Sequence, residues 1–389
     1  MKKNDLRKKV CAALACLAAV CILIQASSCG KIAEYINNLV PTETADVDNA
    51  SPGASDVTAS PANTIPFTTV PEIPEYKLPA ETFSDEIEEE ASRAIDAAIE
   101  KAIAYVNVMK DSRHSDITIP FDEDANGYIA KLDSLQEEQY RAIIKAANNF
   151  ESYELKEADY GGDLKALYFA LYEPMSQCEP TVNACLYMDA VSHIQGDDFV
   201  SYYSLIFGKY FDPAENANVT VDAGDITLDE VKHKIAVLKR VVDRVIRFMP
   251  EGLTTYDKYY YLAAVVSEKV TYDLRPASCY SAYGALVQGR AVCEGYSQAY
   301  YLLCRAAGLW CAYRSGMPDG IGHEWNMIQL ESGIYNVDVT WCDVALPYEP
   351  GWYKCFAKTD EDFDFDGHNI TYGVASTGAY EPCPYDAAG

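Results

Sequence analysis

Arg290-Ala291-Val292-Cys293-Glu294-Gly295-Tyr296-Ser297 is the stretch on which the reading of this chain turns. A loop containing Gly289 leads into it, and Cys293, Tyr300, Leu303, Cys304 and Ala307 then follow a helical pattern up to Gly308, a residue suited to the left-handed position that closes a helix. Cys293 therefore opens a predicted helix. A thiol at a helix N-terminus faces the positive end of the macrodipole, which favours thiolate and pulls its pKa below the ordinary value of about 8.5. That is the setting a sulfur nucleophile needs. A lone cysteine is more often a small buried hydrophobe. Cys304 illustrates that case: it faces the same way as Cys293, but about 16 Å along the axis, and packs into the core.

A nucleophilic cysteine needs a base, and the chain has five histidines. His233 sits on a lysine-rich face, His114 and His193 lie in the N-terminal half, and His368 follows a run of acids. His323 differs, because it opens His323-Glu324-Trp325-Asn326-Met327-Ile328-Gln329-Leu330. The turn Glu331-Ser332-Gly333 follows, and then Ile334-Tyr335-Asn336-Val337-Asp338-Val339-Thr340-Trp341, a strand–turn–strand pattern. Antiparallel pairing would bring Asp338 near His323, where a carboxylate can fix the imidazole tautomer. Register decides whether it does. Side chains alternate faces along a strand, so His323 and Asp338 share a face only if paired residue numbers sum to an odd number. A three-residue turn, Glu331 to Gly333, puts them on opposite faces. A two-residue turn such as Ser332-Gly333, or a bulge near Gly333, puts them together.

Three motifs, in order, carry a resemblance. Ser281-Ala282-Tyr283-Gly284-Ala285-Leu286-Val287 runs on to Ala291-Val292-Cys293-Glu294-Gly295-Tyr296; then come His323-x-Trp325-Asn326 and Tyr335-x-Val337-Asp338-Val339-Thr340-Trp341-x-Asp343. Over about residues 235 to 356 the chain closely resembles the bacterial branch of the transglutaminase-like superfamily. The resemblance implies an α+β, papain-like domain in which the nucleophile helix packs on an antiparallel sheet bearing the base and its orienter. It implies Cys293 as nucleophile, His323 as general base and then acid, and Asp338 as orienter, with Tyr272-Asp273 as the lead-in to the site. The Cys293 backbone N–H would be one oxyanion donor, and Gln288 or Tyr283 a second. Trp325 and Trp341 are further oxyanion or substrate candidates. Cross-linkers, peptidases, deamidases and inactive relatives all occur in this superfamily. The active ones share an acyl-thioester and differ in whether water or an amine resolves it.

The flanks set the context. The 389 residues carry 31 Lys+Arg against 59 Asp+Glu, a net charge of -28. So acidic a chain repels a phosphate backbone, which argues against nucleic acid as a partner. Lys2, Lys3, Arg7, Lys8 and Lys9 precede an uncharged apolar run from Val10 to Ile24, and Gln25-Ala26-Ser27-Ser28-Cys29 follows. Residues 1–28 therefore read as an export signal, too short for a membrane span. The segment resembles a bacterial lipoprotein signal whose cleavage leaves Cys29 as a lipidated N-terminus at the outer face of the membrane. Residues 29–83 hold seven of the 18 prolines amid Thr, Ser and Ala, which predicts a disordered tether. Eight of the 13 cysteines remain once the signal, Cys29 and Cys293 are set aside; disulfides and buried thiols both suit that number.

Residues 84–234 read as a mostly helical N-terminal region. One helix starts near Ser84 and carries Ile87, Ala91, Ile95, Ala98, Ala102 and Val106. A second opens at the capping box Ser134-x-x-Glu137 and a third at Thr227-x-x-Glu230, with a Tyr-rich mixed stretch between them at 151–225. Residues 235–389 form the catalytic unit with an acidic tail. All four tryptophans fall in this last third, which predicts a core separate from the helices before it. Asp122-x-Asp124-x-Asn126-Gly127, with Asp133 at the twelfth place, is a candidate calcium loop, though Asp replaces the usual Glu and Pro120 sits where a helix should enter; no other cofactor is indicated. The reaction expected is acyl transfer or hydrolysis at amide bonds of a peptide or protein substrate, cell-wall or surface proteins among them. The rival is an inactive surface-binding module with a vestigial site.

Overall fold

The computed structural model describes residues 71–379 apart from scattered positions, and from 149 to 227 only the backbone of the strands. The predicted signal peptide, Cys29 and the tether up to residue 70 lie outside the described residues. No helix among the described residues is long and apolar enough to cross a membrane.

The N-terminal region holds α1 (Glu86–Met109), α2 (Ser134–Asn148) and α3 (Leu228–Arg247). The mixed stretch between α2 and α3 forms β1 (Tyr153–Lys156), β2 (Leu186–Gln195), β3 (Asp198–Phe207), β4 (Lys209–Asp212) and β5 (Ala217–Thr220). They pair antiparallel, as a sheet ordered β1-β3-β2 and a separate β4-β5 hairpin. The Val, Tyr, Phe and Ile that made this region hard to order as helix are the residues strands favour.

Helix α4 (Thr255–Lys269) is the centre of the molecule. It has almost no polar face, and a helix that is apolar all round must be buried. Tyr259, Tyr260 and Tyr261, about 100° apart, leave it in three directions. Each ends on a carbonyl: Tyr259 Oη donates to Trp310 O at 2.6 Å, Tyr260 Oη to Pro347 O at 2.7 Å and Tyr261 Oη to Val245 O at 3.0 Å. A capping box closes the start, with Thr254 Oγ1 accepting from Asp257 N and the Asp257 carboxylate accepting from Thr254 N.

Beyond α4, β6 (Thr271–Tyr272) pairs in parallel with β7 (Arg290–Ala291), and α5 (Cys293–Ala306) follows at once. The sheet behind α5 consists of β8 (Cys311–Gly316), β9 (His323–Leu330), β10 (Gly333–Val337), β11 (Phe356–Lys358) and β12 (Ile370–Tyr372), ordered β11-β10-β9-β8-β12. Every pairing in it is antiparallel. Short helices α6 (Val339–Cys342) and α7 (Asp360–Phe365) flank β10 and β12. This is the expected α+β architecture of a nucleophile-bearing helix against an antiparallel sheet.

Two boundaries differ from the sequence reading. The expected separate C-terminal core is one continuous core instead, joining Ile95, Ile99 and Val106 of α1 to Leu238 of α3, Tyr261 of α4, Tyr300 of α5 and Trp325 of β9. A limit at 234/235 therefore falls inside α3. Ile95, Ile99, Val106 and Met109 are at most 3% exposed, a burial worth about 6 to 12 kcal/mol at 1.5–3 kcal/mol each. An apolar stripe announces that a helix has a partner; it does not say which. The tether also ends before residue 83. Ile73 and Leu78 pack on the same core, and Leu78 N donates to Glu100 Oε1 at 3.0 Å.

The second helix likewise begins one residue earlier in its capping than Ser134 and Glu137 suggested. Asp133 Oδ1 accepts from Leu135 N and Gln136 N, and Gln136 Oε1 accepts from Asp133 N. The run of acids before His368 is not featureless tail but helix α7, with Phe363 fully buried.

Candidate active site

Cys293 stands at the first position of α5, after the extended N-cap Val292. Its place is fixed by backbone bonds on both sides: Val292 N donates to Cys279 O and Asp273 N to Ala291 O, each at 3.0 Å. Gly295 lets the first turn come this close, because a Cβ there would lie 2.4 Å from Cys279 O and 2.8 Å from Ala291 Cβ.

The β9–β10 hairpin settles the register question. Leu330 pairs with Gly333 and Ile328 with Tyr335, so paired numbers sum to an odd number. The turn has two residues, Glu331-Ser332, rather than Ser332-Gly333. Gly333 closes it at φ 144°, a conformation that favours glycine. Asp338 follows the last paired residue, Val337, and lies on the His323 face. His323 Nε2 and Asp338 Oδ2 are 2.6 Å apart, both side chains wholly out of solvent.

Charge and hydrogen bonding reinforce one another there. Burial alone would push the imidazole down, but the Asp338 charge and hydrogen bond, and then contact with the Cys293 thiol, outweigh it and raise His323 to about 10. Burial would raise the Asp338 carboxyl; the two histidines beside it hold it well below the usual carboxylate range. An ionised carboxylate only accepts, so Nε2 of His323 carries a proton and Nδ1 is the edge left for the thiol. Asp338 is also the N-cap of α6, its Oδ1 accepting from Trp341 N at 3.1 Å.

Two features escaped the sequence reading. His368, passed over because it follows acids, is fully buried with its Nε2 3.1 Å from Asp338 Oδ2. Its ring stacks on Phe363 at 3.9 Å and lies 4.1 Å from Trp341. Among the described residues, His323, Asp338 and His368 are the group that could hold a metal ion, their ligand atoms within 4.8 Å of one another. Both Nε2 atoms stand at hydrogen-bond distance from the same carboxylate oxygen. The second feature is an acid pair at the seam between α5 and β9. Glu294 follows Cys293, and Glu324 follows His323. Burial, then the charge of Glu324, pushes the Glu294 carboxyl well above its usual range. Gln298 Nε2 donates to Glu294 Oε1 at 3.2 Å, and Ser297 Oγ bonds Glu324 Oε1.

Of the remaining candidates, both tryptophans line the site. The Trp325 and Trp341 rings lie 5.8 and 5.4 Å from that of His323, and Trp325 Nε1 donates to Asn336 Oδ1 at 2.8 Å. Tyr283 is held by α1 and α3 instead: Lys234 Nζ lies over its ring, and burial and Glu90 raise its phenol. Gln288 is exposed at the end of a single wide turn, Gly284–Gln288. The calcium candidates do not converge. Asp133 caps α2, Asp124 accepts from Ile129 N and Ala130 N, Asp122 from Asp124 N, and Asn126 Nδ2 donates to Tyr313 O. The six described cysteines are buried thiols outside any disulfide.

A cysteine at a helix start, an imidazole and a carboxylate, on a helix packed against an antiparallel sheet, define a papain-like class of site. Residues 244–345 match the family model of the transglutaminase-like superfamily core, and this part of the chain is a transglutaminase-like domain. Among solved structures, one described as "Crystal structure of a TGase" is 13% identical, with 56% of this chain and 57% of that chain covered and a TM-score of 0.24. A putative cysteine protease from Cytophaga hutchinsonii is 13% identical over 51% of this chain and 78% of its own, with a TM-score of 0.23. The chain thus spans little more than half of the first. No curated protein matches it.

Proposed function

We propose that the chain is a cysteine-dependent enzyme acting outside the cytoplasm on amide bonds of peptides or proteins. Cys293 is its nucleophile, His323 its base and then acid, and Asp338 the carboxylate that orients the imidazole. The observation that carries this reading is the buried 2.6 Å contact of His323 Nε2 with Asp338 Oδ2, on an imidazole whose charged form the neighbouring Cys293 also favours. The Cys293 proton is already held on His323 Nδ1, and Sγ attacks the amide carbon as the thiolate of that ion pair. N–H groups at the start of α5, which have no partner within the helix, receive the oxyanion. The C–N bond then breaks, His323 returns its proton to the leaving amine, and an acyl-thioester remains. Water or a second amine, losing its proton to His323, attacks the thioester, and the C–S bond breaks. Water gives hydrolysis and an amine gives transamidation.

The basic stretch before Val10, the apolar run and Cys29 support export and lipid anchoring, and the proline-rich segment after Cys29 would hold the domain off the membrane surface. The full chain, incubated with a peptide library with and without methylamine and weighed by mass spectrometry, tests the chemistry. Products that need Cys293, with methylamine either incorporated or ignored, support the reading and choose the acceptor. Products unchanged in Cys293→Ala refute it. Iodoacetamide gives a substrate-free check, since Cys293 should alkylate far faster than the other five described cysteines.

A further inference from the structure

We propose that His368 is a positioning residue of this site: its Nε2–H donates a second hydrogen bond to Asp338 and locks the carboxylate where His323 needs it. The inference rests on the Cys293–His323–Asp338 reading above. Asp338 Oδ2 takes two donors, His323 Nε2 at 2.6 Å and His368 Nε2 at 3.1 Å, while Oδ1 takes Trp341 N at 3.1 Å. With both oxygens held, the carboxylate cannot turn about its own axis. A carboxylate that accepts two or three hydrogen bonds also stays ionised when buried. Because Asp338 only accepts, Nε2 of His368 carries a proton and donates.

The fold makes specific arrangements for this ring. His368 N donates to Phe363 O at 3.0 Å, and Met317 N to Asn369 O at 2.9 Å. Asn369 takes a positive φ of 48°. Gly316 on β8 makes room, since a Cβ there would lie 2.2 Å from His368 O. A ring needed only as filler between Phe363 and Trp341 would not require a nitrogen aimed at the carboxylate.

Two variants separate a donor from a filler. His368→Phe keeps the stacking and removes the donor; His368→Gln keeps an N–H at the place of Nε2 and gives up the ring. Each full-length variant is compared with the wild type by kcat and KM on a peptide amide, by Cys293 alkylation with iodoacetamide, and by the downfield proton resonance of the His323–Asp338 hydrogen bond. His368→Phe should lose about tenfold or more in kcat and in alkylation rate, as expected for a hydrogen bond to a charged group. Its KM should change little, and the resonance should move or vanish. His368→Gln should recover most of the rate. The reverse order, with His368→Phe active and His368→Gln impaired, or equal impairment with the resonance unmoved, overturns the proposal. If His368→Phe does not fold, His368→Gln decides: retained rate and resonance support the donor role, and their loss overturns it. A wild-type Cys293 that alkylates no faster than the other cysteines overturns the triad reading and this inference with it. A fast wild type with an equally fast His368→Phe overturns this inference alone.

Discussion

Asp338→Asn removes one charge and leaves size and shape almost unchanged, so its effect can be worked from the surroundings of His323. The imidazole stands at about 10 against an ordinary value of 6.5, a preference for the charged form of about 5 kcal/mol. Burial opposes that preference and the Asp338 charge is the largest influence supporting it. Without the carboxylate, burial is opposed only by the smaller influence of Cys293, and the imidazole should fall toward or below its ordinary value. An imidazolium beside Cys293 would then be unavailable at neutral pH. The alkaline limb of kcat/KM should move from near pH 10 to below neutrality, and kcat/KM at pH 8 should fall on the order of 10³-fold or more, as when a triad aspartate is neutralised elsewhere. The assay is release of a fluorophore from a peptide amide across pH 5 to 11, with alkylation of Cys293 in parallel. A variant within about tenfold of the wild type, its alkaline limb unmoved, would show that the carboxylate only caps α6 and that the reasoning about the imidazole is wrong.

Cys293→Ala should abolish turnover and leave thermal unfolding within a few degrees of the wild type, since alanine suits a helix terminus; retained turnover would remove the cysteine from the mechanism. Gly295→Ala should cost both activity and stability, because its methyl would lie 2.4 Å from Cys279 O; a loss of about 2 kcal/mol or more by urea denaturation is expected for overpacking at backbone. Stability itself should titrate on both sides. A raised His323 contributes fully below its unfolded value of about 6.5 and loses that contribution as pH rises through about 10. The lowered Asp338 contributes above the ordinary carboxylate range and loses it as pH falls through its depressed folded value. Urea midpoints from pH 3 to 10.5 would check both limbs, and Asp338→Asn should flatten them.

The parts of the site legible in the sequence are those that local rules determine. A cysteine before a helical repeat is a helix start wherever that helix packs. Two strands and a short turn permit only two registers, and the structure adopts the one that puts His323 and Asp338 on one face, with the turn shifted to Glu331-Ser332. The rest depends on meetings that no local pattern encodes. His368 reaches Asp338 across 30 residues, through a helix that its acidic composition disguised as loop. Its one local clue is Phe363 five positions earlier, an apolar residue among acids that must be buried against something. The Asp122 to Asp133 run shows the opposite ambiguity. An Asp-x-Asp-x-Asn-Gly run is also what a tight turn and a following N-cap require, and Asp124 and Asp133 serve those purposes.

Composition gives no hint of how differently the acids of this chain behave once folded. Asp338, Glu294 and Asp343 are all desolvated, and desolvation pushes each of them up. What separates them is the company each keeps. Asp338 meets two imidazole N–H groups and a backbone N–H, and stays a carboxylate. Asp343 accepts from the Tyr296 hydroxyl at 2.7 Å, and its carboxyl is pushed well above its usual range. Glu294 has the Gln298 amide on one side and the like charge of Glu324 on the other, and it too is pushed up. Of these three acids Asp338 is the one held in its charged form, beside the imidazole, while Glu294 next to the nucleophile is held toward its neutral form. Carboxyls of the same kind are set to different tasks by donor count and neighbouring charge. A further anion next to Cys293 would oppose its thiolate, and the upward shift of Glu294 works against that anion forming.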